Sequence, residues 1–462
     1  MQEKIHFYYT NDLHSDFTYW PKVASFMKNK RINCEQKNIS SFLFDIGDHM
    51  DRFNIIADAY KGKANVQLLN DLSYDCVTIG NNEGITLAEY ELDHLYDEAS
   101  FDVVVSNMRK MKGTTPKWLQ HSAIYETIQQ TKVGVVGLTA PFNPFYHLLN
   151  WHIDEVTETL QWELDKLKNQ VDIIVLLSHV GLHEDRRIAS LFPEIDVIIG
   201  GHTHHILKHG EIVNHTILTA AGKHCSHVGE VLLTYDHTRR ELVHKEASVI
   251  NITHVEDDEK TIHRLEDLQT QANHMMERTV VTLPEEIDAN PYESSRFLDH
   301  FTHTLHAWTN SDCAMLNAGI LVEAFQVGDV TYKDIHQACP HPINPCVVEV
   351  TGNELLEIVR ETFSEHLIHQ SLTGFGFRGD VIGAFSYAGI EIERDEQTKE
   401  DYIYTLYIQG KPLEGEKNYR LATVDMFTFG RMLPEIARSP YKKYFLPEMI
   451  RDVLTEALKT YV

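Results

Sequence analysis

Aspartate, asparagine and histidine recur where apolar runs end in the first half of the chain. Asn11-Asp12-Leu13-His14 follows the run 5–10, Gly47-Asp48-His49 follows 41–46, and Gly80-Asn81-Asn82-Glu83 closes and follows 75–80. Ser178-His179-Val180-Gly181 ends the run 171–178, and Gly200-Gly201-His202-Thr203-His204-His205 ends 196–200. Each motif alone is weak, because His-x-His is a common surface accident and Gly-Asp is usually a turn. Together they supply seven donors: Asp12, His14, Asp48, Asn81, His179, His202 and His204. Imidazole, carboxylate and amide oxygen in one set suit Mn, Fe, Zn or Co better than Ca or Mg alone. Seven donors exceed one tetrahedral site and fit two divalent metal ions bridged by a carboxylate. Such pairs lie about 3.5–4 Å apart, clamp both oxygens of an in-line phosphoryl displacement, and lower the pKa of a bridging water to give a hydroxide nucleophile.

The elements that must position these residues are short, β-branched runs bounded by Gly, Asn, Asp or His. Nine strands are expected, at 5–10, 41–46, 75–80, 101–107, 132–138, 171–178, 196–200, 216–221 and 229–235. Several are apolar throughout, as in a sheet covered on both faces. Amphipathic stretches such as 157–170 lie between them, so residues 1–250 read as a layered α/β domain. Ligands of such sheets gather at the carboxyl ends of the strands, which would place all five motifs on one edge of the sheet. Residues 257–278 carry a helical stripe of Ile262, Leu265, Leu268, Ala272 and Met275, read as a connecting helix within 251–282. A smaller domain at 283–462 follows, opening with a helix at 294–308.

Composition narrows the partners. The chain has 462 residues, 41 Lys+Arg against 68 Asp+Glu, and a net charge of -27. So acidic a surface repels nucleic acid and anionic lipid, and neither is expected as a partner. Six scattered cysteines are too few for a disulfide scaffold and read as reduced, structural thiols. No signal peptide precedes the first strand and the apolar run at 171–177 is too short to span a bilayer, so a cytoplasmic protein is expected. Nothing in the sequence sets the oligomeric state.

The order D-x-H, G-D, G-N-x-E, H-x-G and G-H-x-H resembles the calcineurin-like metallophosphoesterases. The second half is similar to the 5′-nucleotidase/UDP-sugar hydrolase/2′,3′-cyclic phosphodiesterase family, and in detail to its YunD-like branch. That family typically reads N-x-G-G-x-R, G-x-I-T-x-x-D, P-F-x-N, T-G-x-E-L and Y-x-V-A-T. The chain has Asn317-Ala318-Gly319, Gly328 to Asp334 (GDVTYKD), Pro340 and Asn344, Thr351-Gly352-Asn353-Glu354-Leu355, and Tyr419-Arg420-Leu421-Ala422-Thr423. The resemblance implies a four-layer sandwich of two mixed sheets flanked by helices, followed by a 5′-nucleotidase-type C-terminal domain. It implies that Asp12, His14, Asp48 and His204 hold one ion, and that Asp48, Asn81, His179 and His202 hold the other. It further implies a C-terminal domain that recognises a nucleoside and rotates about the connector.

Two departures bear on function. The family's G-N-H-E becomes G-N-N-E, with Asn82 in place of a histidine that stabilises the transition state or protonates the leaving oxygen. An amide can donate a hydrogen bond but cannot act as a general acid, a contribution worth typically about 10²–10⁴. His49, His183 and His205 are alternative donors. The Arg of N-x-G-G-x-R becomes Val322. Substrate contacts are therefore sought at Asn317, Arg378, Phe385, Tyr387 and Phe429. The expectation is a dimetal phosphoesterase acting on a small-molecule phosphate, a nucleotide or nucleotide derivative, with Asn82, His14 and His202 at the reacting group. A phosphoanhydride or 2′,3′-cyclic phosphodiester hydrolase is the alternative within the class, and a nucleotide sensor with little turnover the alternative outside it.

Overall fold

The computed structural model describes residues 1–372, 374–395, 402–430 and 432–462. It contains two compact units, Met1–Ala272 and Asn273–Val462. The division falls within the helix Glu259–Met276, in the stretch read from sequence as the connector.

The first unit is built on two mixed sheets. In one, Gln2–Thr10, Ser40–Asp45, Cys76–Val77, Asp102–Val104 and Leu119–Gln120 run parallel in that order. His227–Asp236 pairs antiparallel with the first of these, and Glu241–Asn251 extends that edge. In the other sheet Lys132–Thr139, Ile173–His179, Val197–Gly200 and Thr216–Thr219 are parallel, with antiparallel edges at Ser122–Glu126 and Glu211–Val213. One buried cluster takes Ile5, Phe7 and Phe44 from the first sheet and Val135, Val175 and Ile199 from the second, so it is the filling between the sheets. The opposite face of the second sheet buries Leu176 and Ile198 against Leu160 and Leu164 of the helix Val156–Leu167 and Ile188 of the helix Leu182–Leu191. A sheet covered on both faces must be apolar on both, and this accounts for the unbroken apolar run at 171–177. The four-layer sandwich is therefore present.

All nine expected strands exist. Six more in the first unit were not anticipated: Leu119–Gln120, Ser122–Glu126, Glu211–Val213 and Glu241–Asn251 in the two main sheets, and Met108–Lys110 and Trp151–Ile153, which pair with each other. All lie at or beside a sheet edge, where one face or one side meets water and the apolar signal fades. The six cysteines are unpaired and buried.

The second unit centres on a five-stranded sheet in the order Phe385–Ala388, Cys313–Asn317, Asn418–Val424, Pro345–Thr351, Lys442–Tyr444. Its core takes Phe297, Phe301 and Leu305 from the helix Arg296–Thr309, and Val453, Leu454 and Ala457 from the helix Ile450–Tyr461. The T-G-N-E-L motif is a helix start. Thr351 Oγ1 accepts from Glu354 N at 3.2 Å while Glu354 accepts from Thr351 N at 2.7 Å, a reciprocal cap on the helix Gly352–Glu361. Among the described residues no helix is long and apolar enough to cross a membrane.

Candidate functional site

The five motifs converge, but from two sheets rather than along one edge of a single sheet. Asp12, Asp48 and Asn81 leave the ends of parallel strands in the first sheet, and His179, His202 and His204 leave the second. The loops are held in uncommon backbone geometry. Asp12, His14, Asp48, His202 and His204, five of the seven expected ligands, have left-handed φ between 48° and 71°. Such conformations cost on the order of 1–3 kcal/mol each and persist where surrounding structure over-determines them.

Here that structure is a backbone ladder between the first two loops. Asp12 N donates to Gly47 O at 3.1 Å, His14 N to Asp48 O at 2.8 Å, and Ser15 N to His49 O at 3.0 Å. Glu83 clamps the third loop onto the second, its Oε2 accepting from Gly80 N (2.9 Å) and Asp48 N (3.0 Å) and its Oε1 from Met50 N (2.9 Å). The approach is so close that a Cβ on Gly80 would lie 2.0 Å from Asp48 Oδ1.

The donors fall into two groups, Asp12 with His14 and His204, and Asp48 with His179 and His202. In the first, His204 Nε2 lies 3.4 Å from Asp12 Oδ1 and 3.1 Å from His14 Nε2. In the second, His179 Nε2 lies 3.4 Å from Asp48 Oδ2. The groups adjoin: His14 Nε2 is 3.8 Å from Asp48 Oδ2, and His179 Nε2 is 4.0 Å from Asp12 Oδ1. Asp48 thus faces an imidazole of each group.

Two orphaned acceptors test whether these residues suit cations. His179 donates from Nδ1 to Ile46 O at 2.7 Å, which leaves a lone pair on Nε2. That Nε2 is buried and has no partner, and so is Asn81 Oδ1. Both belong to the expected ligand set, and a divalent cation satisfies both.

The electrostatics agree. Burial alone would raise the carboxyls of Asp12 and Asp48, but neighbouring imidazoles outweigh it and hold both below the ordinary range. Burial alone would lower His179, yet Asp48 and Asp12 push it up to about 10, so a proton and a cation compete for the same Nε2 lone pair. His202 goes the other way, to about 4, through burial and repulsion by His179. A cluster whose carboxylates recruit protons onto neighbouring imidazoles is one in which positive charge is needed.

Other residues shape the site without having been singled out from sequence. Asn11 Nδ2 bridges Asp12 Oδ2 (2.6 Å) and Gly222 O (2.7 Å). Ser178 donates to buried Asp185, tying down the strand end that carries His179. Asp51 Oδ2 stands 3.6 Å from His14 Nδ1. Glu83 was visible as the last letter of G-N-N-E, but its role depends on loop–loop contact that no local pattern encodes. Of the alternative donors, His49 is buried edge-on to Trp20 at 5.0 Å, with Asn65 on its Nδ1. His205 is exposed and paired with Thr203 Oγ1, and His183 is exposed on the helix Leu182–Leu191.

Of the five substrate candidates of the second unit, Asn317, Phe385 and Tyr387 stand on two neighbouring strands of its main sheet, and Arg378 and Phe429 lie outside the strands. Asn317 and Phe385 are cross-strand partners, as are Met315 and Tyr387. The segment 374–383 packs on Asn317: Asn317 Nδ2 donates to Ile382 O at 2.7 Å, and Gly319 N donates to the same oxygen at 3.0 Å. Arg378 lies in this segment, its backbone N donating to His341 Nδ1 at 2.9 Å and its guanidinium to Phe377 O at 3.0 Å. Phe375 of the same segment stacks on Phe429 at 5.9 Å, and Tyr444 lies parallel to Phe429 at 6.5 Å. Phe385 is buried against Phe427, and the Tyr387 hydroxyl pairs with Thr362.

Residues 5–205 match the calcineurin-like phosphoesterase family, and residues 276–431 match the 5′-nucleotidase C-terminal domain. The uncharacterized metallophosphoesterase YunD of Bacillus subtilis (strain 168) is 38% identical over 456 residues, covering 98% of this chain and 99% of that protein. The 5′-nucleotidase of Homo sapiens is 31% identical over 226 residues, which cover 44% of this chain and 38% of the human protein. Among solved structures, the NAD nucleotidase of Haemophilus influenzae aligns with a TM-score of 0.70 at 14% identity, covering 100% of this chain and 97% of that one. The 5′-nucleotidase precursor of Thermus thermophilus aligns with a TM-score of 0.60 at 17% identity, covering 99% and 96%. At these identities the structures share the fold.

Proposed function

The chain belongs to the calcineurin-like metallophosphoesterases that carry a 5′-nucleotidase C-terminal domain, and on that premise we propose that it is a dimetal hydrolase of nucleotides or nucleotide derivatives. The observation that carries this reading is the pair of adjoining donor groups with lone pairs left over at His179 Nε2 and Asn81 Oδ1. Asp12, His14 and His204 would hold one ion and Asp48, Asn81, His179 and His202 the other, with Asp48 between them. Mn, Zn, Fe or Co suits this donor set. Two such ions supply Lewis acidity toward a phosphoryl group and a water acidic enough to react near neutral pH.

The chain's own residues do the rest. The backbone ladder and Glu83 hold Asp12 and Asp48 in fixed positions, so little reorganisation is needed when the phosphoryl group arrives. His202 lies half-buried beside His179, with ring centroids 5.2 Å apart, and offers an imidazole to the phosphoryl oxygens. The C-terminal domain would select the nucleoside through Asn317, Arg378, Phe385, Tyr387 or Phe429.

The test is phosphate release from nucleoside monophosphates, nucleotide sugars, dinucleotides and cyclic nucleotides with Mn, Co, Zn and Mg in turn, beside elemental analysis of the reconstituted protein. Two ions per chain and release from at least one nucleotide are expected. One ion or none, or binding without turnover, would overturn the reading, the second outcome in favour of a nucleotide sensor. Asn82 favours a second reading within the class. Without an imidazole at 82 a good leaving group is preferred, so a phosphoanhydride would outrun a simple 5′-monophosphate.

A further inference from the structure

A sixth strand end reaches the candidate site without bringing a donor. Lys132–Thr139 lies parallel beside Ile173–His179, with Thr139 level with His179. Asn107 fixes that end, its Oδ1 accepting from Thr139 N at 3.0 Å and its Nδ2 donating to Thr139 O at 2.9 Å. Ala140-Pro141-Phe142 leaves the sheet there, where the neighbouring strand ends in a candidate ligand. The Phe142 ring stands 5.8 Å from that of His202, at 62°. The His202 ring therefore has His179 as one neighbour, at 5.2 Å, and Phe142 as another.

The segment that follows is pinned along its length. Phe142 O accepts from Phe145 N at 2.9 Å and from Tyr146 N at 3.1 Å, at the start of the short helix Asn143–Tyr146. Asn143 exchanges two bonds with Ile153, donating from Nδ2 to its O at 2.9 Å and accepting on Oδ1 from its N at 2.8 Å. Tyr146 is buried against the G-N-N-E helix Asn81–Ile85, where a Cβ on Gly84 would lie 2.1 Å from the Tyr146 hydroxyl. One end of the segment thus touches His202 and the other touches the helix that begins with Asn81. Both residues belong to the ligand set of Asp48 and His179, so the segment walls that group. Phe142 brings neither charge nor a side-chain hydrogen bond to a rim of carboxylates, imidazoles and amides. It brings half-buried carbon surface, and ligand sites combine a few polar groups with such surface.

Resting on the dimetal reading, we propose that Phe142 is a specificity-determining residue whose ring contacts the carbon group attached to a phosphoryl or phosphonyl group held at Asp48, Asn81, His179 and His202. The ligands it favours are phosphates and phosphonates with a flat or apolar carbon substituent, over those whose substituent is too small to reach the ring. An aromatic contact of this kind adds to plain area burial through the ring's negative face and positive edge. Phe142 acts on the substituent and not on the ions, since no candidate metal ligand lies on the segment 140–146.

Phosphonates read this at equilibrium, because their carbon–phosphorus bond gives the site nothing to hydrolyse. Full-length protein reconstituted with Mn²⁺ is titrated calorimetrically with methylphosphonate and with phenylphosphonate, and bound Mn²⁺ is counted by elemental analysis. Wild type is expected to bind phenylphosphonate about two- to tenfold more tightly, the scale of one aromatic contact. Phe142→Ala should bring the two affinities together with Mn²⁺ content unchanged. Phe142→Leu, which keeps apolar bulk on the segment, should narrow the gap in the same direction, and Phe142→Tyr should keep it. Equal affinities in wild type, or a preference that survives in both Phe142→Ala and Phe142→Leu, overturn the proposal. Loss of bound Mn²⁺ in those two variants would make Phe142 a prop for the His202 ring and overturn it as well. Failure of the dimetal reading looks different: wild type itself then holds fewer than two ions and binds neither phosphonate, and the proposal falls with it.

Discussion

The two units treat their polar residues differently. In the first, acceptors are left over: His179 Nε2 and Asn81 Oδ1 are buried without partners, and five expected ligands sit in left-handed backbone. In the second, most candidate side chains already have occupations. Asn317 Nδ2 holds Ile382 O, the Arg378 guanidinium donates to Phe377 O, Tyr387 pairs with Thr362, and Phe429 stacks on Phe375. A buried polar group without a partner costs about 1–3 kcal/mol. Its survival in the first unit marks a place kept for something the chain does not provide. The second unit also has orphaned acceptors, at Asn317 Oδ1 and Asp425 Oδ1, but among the described residues no cluster of carboxylates and imidazoles accompanies them, and what it offers beside them is aromatic faces that bind by stacking.

The largest test of this contrast is Asp48→Asn. The change keeps volume and shape but removes the charge that faces both imidazole groups. Bound metal should fall from two ions per chain to one or none, and phosphate release to background. Elemental analysis beside a rate assay checks both, and full retention of two ions would break the contrast. Next is Gly80→Ala, whose Cβ would lie 2.0 Å from Asp48 Oδ1 and 2.5 Å from Asp48 N. Overpacking of this kind costs typically about 1–3 kcal/mol, and here the strain falls on a ligand. Gly319→Ala in the second unit meets an equally close contact, 2.0 Å to Val381 O. Both variants should melt earlier, but only Gly80→Ala should lose metal.

The same contrast explains what could be read in advance. The candidate ligands were legible because strands ending in Asp, Asn or His at a sheet's carboxyl edge carry a local signal, and five such signals agree. That they come from two facing sheets was not legible, since periodicity shows that a strand is buried but not which sheet it joins. The Glu83 clamp and the Ile46 carbonyl behind His179 arise from contacts between segments distant in sequence. In the second unit, aromatic residues at 385, 387 and 429 looked alike as letters. Only packing separates buried Phe385 from half-buried Phe429, with its stacked neighbour Phe375 that is 49% exposed.

A smaller effect is expected from Asp425, a buried carboxyl at the end of Asn418–Val424. Its Oδ1 has no partner, and burial pushes it from the ordinary 3.8 up to about 7. Between those values the folded protein holds a proton that the unfolded chain has released. Stability contributed by this group is therefore full below about pH 4, falls as pH rises toward 7, and is flat above. The slope is at most about 1.4 kcal/mol per pH unit. Melting temperatures of wild type and Asp425→Asn across roughly pH 4–8 should diverge at the acidic end and run parallel above about pH 7. Parallel curves throughout would mean that the carboxyl is ionised in the folded state and partnered by water.

The finest test sets two phenylalanines of the second unit against each other. Phe429 offers a half-buried face in a ladder with Phe375 and Tyr444, whereas Phe385 is 7% exposed and tilted against Phe427. If the second unit grips a base, the gripping surface is the one that water can reach. Stacking a base on an aromatic ring is worth about 1–3 kcal/mol, roughly a 5- to 150-fold change in affinity. Phe429→Leu should therefore lower kcat/KM for a nucleotide relative to that for a small aryl phosphate by a factor in this range, with two ions still bound. Phe385→Leu should lower the melting temperature and leave that ratio where it was. The ratio isolates the base because an aryl phosphate brings the same reacting group without a nucleoside, so losses at the metal groups cancel. Equal ratios in both variants and wild type would mean that selection rests on polar contacts. Arg378, whose guanidinium donates to Phe377 O, would then have to exchange that partner for substrate, whereas Asn317 still has its buried Oδ1 to offer.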